Sequence, residues 1–258
     1  MNSILKPLYD VMAIILDAFY SFTVMIGIPS YAIAIVLFTI IIKAMLFPLG
    51  WKMQVNQRKM AEVQPIQVKL QKKYGHNKEL YNQKIMELYK RRNINPLSGC
   101  LPMLIQLPII WAFYRMLLNH NYGTGPDSHF FGYFELANKY GDLSNPIHYI
   151  LPVLVGITAF ASMKINAMIT APKKTVVTNA KGKSKEVDAP PNPMQGQMKY
   201  MNIIFSGFMV VIMFSVPSGM ALYFITTNLA QLLQTYGISK ILDVQKKKKA
   251  EIADAEAV

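Results

Sequence analysis

The sequence predicts an all-α membrane protein with five transmembrane helices, a cytoplasmic helical hairpin and an N-terminal interfacial amphipathic helix. The first observation behind this prediction is composition, because the 258-residue chain is 52% hydrophobic and only 16% charged. The second is that the apolar residues form long stretches of the length that spans a bilayer. The third is the net charge of +13, whose cations are concentrated in a few segments between the apolar stretches. Fold classes built on water-exposed sheets are therefore poor candidates.

Residues 1–27 predict a helix that lies in the membrane interface outside the cell. Apolar residues recur there near helical spacing, and polar residues, Asp10 and Asp17 among them, lie on another side. Pro7 and the two aspartates interrupt any signal-peptide core, and we identify no small-residue cleavage site after it. A sixth membrane span is the alternative interpretation, and the two aspartates weigh against it.

The first predicted span, residues 28–51, contains a lysine within an apolar run. From Tyr31 to Ile42 the only polar residue is Thr39, and Lys43 follows directly. A cation at mid-bilayer costs about 2.5–3.5 kcal/mol, so it usually faces protein or water. One interpretation is that Lys43 snorkels toward the headgroups. The other is that it lies in a positively charged, hydrated pocket in the inner half of the membrane.

Residues 52–93 predict a helical hairpin that stands off the membrane. The segment is rich in Lys, Arg and Gln, and two helical patterns flank a break at residues 74–77. Nothing in it forms a phosphate-binding loop or a nucleic-acid motif. Its charge is typical of a solvated surface.

Four more spans and a tail complete the predicted architecture. The spans are expected at residues 101–118, 146–168, 201–216 and 221–238. The polar, lysine-containing segment between the third and fourth spans predicts a flexible linker, and the turn Pro217-Ser218-Gly219 joins the last two spans. The core therefore covers residues 28–240. Residues 241–258 form a basic and then acidic tail, which we expect to be disordered.

The distribution of cations predicts the orientation in the membrane. Five spans place the hairpin, the linker and the tail on one face, and these three segments hold nearly all the lysines and arginines. By the positive-inside rule that face is cytoplasmic, with the N-terminus outside and the C-terminus in the cytoplasm. Topology thus accounts for the basic charge without a specific nucleic-acid partner. Anionic headgroups or ribosomal RNA would still be complementary to it.

The sequence contains no residue pattern typical of a metal site, a redox site or a hydrolytic active site. A single cysteine, Cys100, excludes an intrachain disulfide, and the four histidines lack metal-ligand spacing. We see no Ser/His, paired Asp or His-Glu arrangement within the predicted spans, so an intramembrane enzyme is not indicated. We therefore expect no cofactor and no metal.

Four motifs follow one another across the predicted spans. They are Lys43-x4-Pro48-Leu49, Asn95-Pro96-x2-Gly99-Cys100-Leu101-Pro102-x3-Gln106-x-Pro108-Ile109, Asp142-Leu143-x2-Pro146-x2-Tyr149-Ile150-Leu151-Pro152 and Pro217-x-Gly219-x2-Leu222-Tyr223-x4-Asn228. In this order they resemble the YidC/Oxa/Alb family of membrane-protein insertases. The resemblance covers roughly Pro29 to Lys240 and is to the short Gram-positive form, which lacks the large periplasmic domain.

The resemblance implies an insertase and chaperone that inserts and helps fold integral membrane proteins in the bacterial plasma membrane, without enzymatic activity. It also implies a hydrophilic groove, open to cytoplasm and lipid, that holds a basic residue from the first span. That residue is usually arginine, and Lys43 stands at the matching position. Lysine keeps the point charge but lacks the guanidinium fork. The expected partners are nascent membrane proteins and the bilayer, with the Sec translocon and the ribosome as further candidates.

Polar residues in the other spans are candidates to line the groove with Lys43. They are Gln106, Thr158, Ser162, Thr227, Asn228 and Gln231. The alternative role for these side chains is hydrogen bonding between helices, typically worth about 0.6 kcal/mol each.

The alternative function of the chain is a small proton-coupled transporter in which Lys43 titrates. Against it, the predicted spans contain no Asp or Glu to relay a proton, and no inverted repeat is evident.

Overall fold

The computed structural model describes residues 6–96, 101–119, 129–130, 134–136, 149–170, 175–178, 184–187, 204 and 207–256. Helices dominate these ranges, and residues 207–213 are also helical. In chain order the long helices are α1 (Lys6–Met25), α2 (Tyr31–Met45), α3 (Phe47–Tyr74), α4 (Lys78–Arg91), α5 (Leu101–Asn119), α6 (Ile150–Thr170) and α7 (Ser218–Glu256).

Two short antiparallel strand pairs accompany the helices. The first pairs β1 (His129–Phe130) with β2 (Phe134–Glu135), and the second pairs β3 (Thr175–Thr178) with β4 (Ser184–Val187). The second pair lies in the segment predicted to be a flexible linker, so eight residues of that segment have a regular structure that the sequence did not indicate. All four residues of β3, Thr-Val-Val-Thr, have the β-branched side chains that strands favour.

The helices are those of a membrane protein by length and composition. In the described part of the chain, Lys6–Met25 and Ile150–Ile169 are each long and apolar enough to cross a bilayer, and α2 with α3 adds a third candidate if the bent pair is one span. Leu104–Asn119 is apolar but shorter. The helical fold class is therefore confirmed, whereas the number of five spans stays a prediction. Because α1 is also long and apolar enough to cross a bilayer, both an interfacial position and a sixth span are compatible with it.

The first predicted span is bent rather than straight. Residues 28–51 were expected to form one span, but α2 ends at Met45 and α3 starts at Phe47 with a change of direction of 59°. Pro48 lies in the first turn of α3, where its missing N–H is tolerated but its ring prevents the helix from continuing straight from α2. The change of direction thus lies within the stretch that had been assigned to the span.

Helix α7 lies at the centre of the bundle. It contacts α2, α3, α5 and α6, and its N-terminal half enters the main core together with α1, α2 and α5. The centre of this core is an aromatic layer formed by Phe38, Phe113 and Tyr223. The Phe113 ring lies 5.7 Å from that of Phe38 and 4.6 Å from that of Tyr223, and all three side chains are fully buried.

The hairpin predicted for residues 52–93 has the expected helical form. Helices α3 and α4 flank the break, and the Asn77 side chain accepts a hydrogen bond from the Leu80 N–H at 3.1 Å, which caps α4. A small core of Val63, Tyr89 and Ile94 joins the two helices. The Gln67 amide also donates to the Tyr89 hydroxyl at 3.0 Å. The hairpin therefore has its own core, separate from that of the spans.

The tail differs from its prediction. Residues 241–258 were expected to be disordered, but α7 continues without a break from the last predicted span to Glu256. The prediction rested on composition alone, since Lys and Ala with scattered acids offer no apolar face. The structure instead gives this segment partners on α3, described below.

We expect Gly219→Val to lower the stability of the protein by about 1–3 kcal/mol, the usual cost of overpacking. A Cβ at Gly219 would lie 3.0 Å from Cδ2 of Leu117 and 3.1 Å from the backbone oxygen of Leu136, to which the Gly219 N–H donates. The measurement is the midpoint of thermal unfolding in detergent. Gly237→Ala is the control, because a Cβ there meets nothing within 4 Å and alanine favours helix. Equal midpoints for the two variants would contradict the close packing at Gly219.

Candidate functional site

Lys43 is the last residue of the inward-facing stripe of α2. The stripe runs through Ala34, Ile35, Phe38 and Thr39, all fully buried, and Lys43 lies one turn after Thr39 on the same side of the helix. The residues on the other side, including Ile40, Ile41 and Met45, are exposed. Lys43 itself is half-buried. Its position on the stripe favours the interior of the bundle over the lipid-facing surface that snorkelling from a bare helix would require.

The aromatic layer sets the depth of Lys43. Lys43 follows Phe38 by five residues, and Thr227 follows Tyr223 by four, so both lie about 6–8 Å from the layer by the helix rise. Both Lys43 and Thr227 are displaced from the aromatic layer toward the hairpin. The reason is that α2 leads into α3, and α7 continues beside α3. The buried aromatic layer therefore lies on one side of Lys43, and the hairpin on the other.

Three of the predicted polar residues meet between α6 and α7. The Asn228 amide donates to the Thr158 hydroxyl at 3.2 Å, and the Ser162 hydroxyl donates to the Asn228 backbone oxygen at 2.8 Å. Thr158 also donates to the Leu154 carbonyl at 2.8 Å. These bonds match the alternative expectation for polar residues in spans, which is to join helices. All three side chains are only half-buried, so one side of the cluster is still accessible.

A second polar contact joins α5 and α7. Gln106 donates from its side-chain amide to the Tyr223 hydroxyl. The buried Thr227 hydroxyl lies beside that of Tyr223 but makes no hydrogen bond of normal geometry within the described residues. Tyr223 was recognised as part of a motif but not as a site residue. A tyrosine four residues before a threonine in an apolar span is the signal that would have indicated it, since both side chains share one helix face.

Gln231 does not join these groups. Its side chain is exposed, and its amide lies 3.5 Å from the Thr235 hydroxyl on the same helix. The structure therefore brings Gln106 to Tyr223, and Thr158 and Ser162 to Asn228, while Gln231 faces outward. Among the described residues, no group of three or more His, Cys, Asp or Glu side chains is arranged to hold a metal ion.

Comparison with known proteins decides the family. The sequence matches the family described as 60Kd inner membrane protein over residues 21–247. It is 35% identical over 260 residues to the membrane protein insertase YidC of Clostridium perfringens, which covers 97% of this chain and 98% of that protein. This chain belongs to the YidC family. The family resemblance drawn from the four motifs is confirmed.

Other YidC proteins match the same region. The YidC of Fusobacterium nucleatum is 34% identical over 211 residues, which are 82% of this chain and 87% of that protein. The YidC of Campylobacter jejuni is 31% identical over 224 residues, which are 86% of this chain but only 36% of that protein. The shared YidC region is thus nearly the whole of some relatives and about a third of others.

Proposed function

We propose that this chain inserts membrane proteins through a hydrophilic groove open to cytoplasm and lipid, in which Lys43 attracts acidic residues of the incoming substrate. The proposal extends the insertase function named for its YidC relatives. The chain would act by lowering the free-energy barrier to transfer of the substrate's polar tail across the bilayer. It would make or break no covalent bond.

One observation carries the proposal: Lys43 is an inward-facing cation that pairs with no anion among the described residues. Within the described residues its ammonium makes no hydrogen bond and no ion pair. Coulomb attraction to a carboxylate at 4 Å is on the order of 4 kcal/mol at an effective dielectric constant of about 20, before desolvation. Such an attraction is strong enough to draw an acidic tail into the groove and weak enough to release it.

The aromatic layer supports a groove that reaches only part-way across the bilayer. A path from the hairpin side to Lys43 would end at the packed rings of Phe38, Phe113 and Tyr223, so no open channel is needed. Thr227 and the cluster of Thr158, Ser162 and Asn228 would add polar side chains, and Gln106 would add another beside Tyr223. The substrate's apolar helix would then leave sideways, past exposed apolar side chains such as Leu107 and Ile157.

The positive-inside distribution supports an orientation in the bacterial plasma membrane with the N-terminus outside and the hairpin and C-terminus in the cytoplasm. On this orientation a nascent chain would reach Lys43 from the side on which it is synthesised. Nascent membrane proteins and the bilayer are the proposed partners. The Sec translocon and the ribosome are further candidates, and for the ribosome the basic cytoplasmic surface would be complementary to the phosphates of its RNA.

The test is reconstitution of the purified protein into vesicles with a single-span substrate that has a short acidic tail. We expect the tail to become protected from added protease several-fold more in these vesicles than in protein-free ones. A pH-sensitive dye inside the same vesicles measures proton flux. Protein-dependent proton flux without tail protection would contradict the insertase mechanism and favour the transporter.

A further inference from the structure

The cytoplasmic part of α7 lies against the first helix of the hairpin, α3, through three successive contacts. Gly50 faces the Gln234 side chain, since a Cβ at Gly50 would lie 2.0 Å from its amide nitrogen. Arg58 pairs with Asp243 at 2.9 Å, and Glu62 pairs with Lys246 at 2.8 Å. The two ion pairs join residues that are 185 and 184 positions apart in the chain.

A constant separation of this kind shows that α3 and α7 run in the same direction. In an antiparallel pair the separation would fall by about two for each residue advanced. The contacts extend from Gly50 to Glu62, which is about 18 Å of helix. The two helices therefore leave the bundle side by side, although the hairpin and the tail are far apart in the sequence.

Arg58 is the principal link in this pairing. Besides its two contacts with Asp243, at 2.9 and 3.5 Å, its guanidinium donates to the Ser239 carbonyl at 3.0 Å and to the Ser239 hydroxyl. The Arg58 side chain is only 18% exposed, whereas Glu62 and Lys246 are both more than 60% exposed. An exposed lysine–glutamate pair is weak and screened by salt, while a partly buried guanidinium with several acceptors is held more firmly.

We propose that Arg58 is a positioning residue that straps the hairpin to the cytoplasmic extension of α7. Helix α3 begins at the 59° bend after α2, and Leu46 is the one residue between the two helices. A second attachment 12 residues further along, at Arg58, prevents α3 from swinging about that bend. The strap thereby fixes the direction in which the hairpin leaves the membrane, and its release would free the hairpin to reorient. The inference concerns an intramolecular contact and does not depend on the insertion mechanism.

Disulfide formation between Glu62→Cys and Lys246→Cys, in a Cys100→Ser background, measures how closely α7 stays beside α3 in native membranes. These two substitutions remove the weaker ion pair and leave Arg58 as the remaining charged link. We expect efficient cross-linking on oxidation, a several-fold lower yield with Arg58→Gln, and an intermediate yield with Arg58→Lys, which keeps the charge but loses the fork.

Lys84→Gln is the matched control. Lys84 makes an ion pair with Glu87 at 3.1 Å, but within α4, so its loss should leave the cross-linking yield unchanged. Absence of a cross-link in the parent pair would overturn the parallel docking of α7 on α3. Equal yields with Arg58 and Arg58→Gln would overturn the positioning role of Arg58, as would an equal loss in the Lys84→Gln control.

Discussion

Replacing Lys43 with methionine should lower the insertion of substrates with acidic tails by about tenfold or more. Methionine is similar in length and apolar, so it removes the charge with little change in packing. A tenfold loss corresponds to about 1.4 kcal/mol, a fraction of the roughly 4 kcal/mol of attraction before desolvation is subtracted. The measurement is protease protection of a single-span substrate in reconstituted vesicles.

The same substitution should matter much less when the acidic residues of the tail are neutralised, because a polar groove would still shorten the hydrocarbon barrier. Lys43→Arg should insert both substrates about as well as the parent, since it keeps the cation. Reaction of a cysteine at position 43, in a Cys100-free variant, with a polar thiol reagent added from the cytoplasmic side independently measures hydration. Equal losses for acidic and neutralised tails in Lys43→Met would mean that Lys43 is structural, and the electrostatic mechanism would be wrong.

Replacing Tyr223 with alanine should destabilise the protein by about 3–5 kcal/mol, the usual cost of removing a buried aromatic side chain. Tyr223 is 1% exposed and packs against Phe113 and, edge to face, against Phe224 at 5.5 Å. Removal of its ring would open a cavity where α2, α5 and α7 meet. Thermal unfolding in detergent would report the loss as a lower midpoint.

Tyr223→Phe separates the ring from its hydroxyl. It keeps the aromatic layer and removes only the acceptor of the Gln106 hydrogen bond, so we expect a loss of about 0.6 kcal/mol, typical of such bonds between spans. Similar unfolding midpoints for Tyr223→Ala and the parent protein would show that the aromatic layer contributes little to the packing of the bundle.

The helices and the intramembrane cation Lys43 could be predicted from the sequence, because local patterns of residues indicate both. An apolar stretch of about 20 residues indicates a transmembrane helix, and a lysine such as Lys43 within one is easily recognised. The bend was missed because residues 28–51 were assigned to one span, although Pro48 also permits a new helix to begin there. The inward direction of Lys43 required knowledge of which face of α2 is buried.

Contacts between distant segments were beyond the reach of local patterns. Thr158, Ser162 and Asn228 were recognised as polar residues in spans, but nothing local showed that they bond to one another across 66 or 70 positions of sequence. The helical tail was missed for the same reason. Asp243 and Lys246 look like ordinary solvated charges until α3 supplies Arg58 and Glu62 as their partners.

The uninterrupted course of α7 has a mechanical consequence. The helix is 39 residues long, or about 58 Å, and it carries Asn228 in the bundle and Lys246 beside the hairpin on a single axis. A stiff rod transmits rotation along its length. A rotation of the C-terminal end that separated Lys246 from Glu62 would carry Asn228 around by a similar angle and break its hydrogen bond to Thr158. Rotation at one end of α7 would thus be transmitted to the helix bundle at the other.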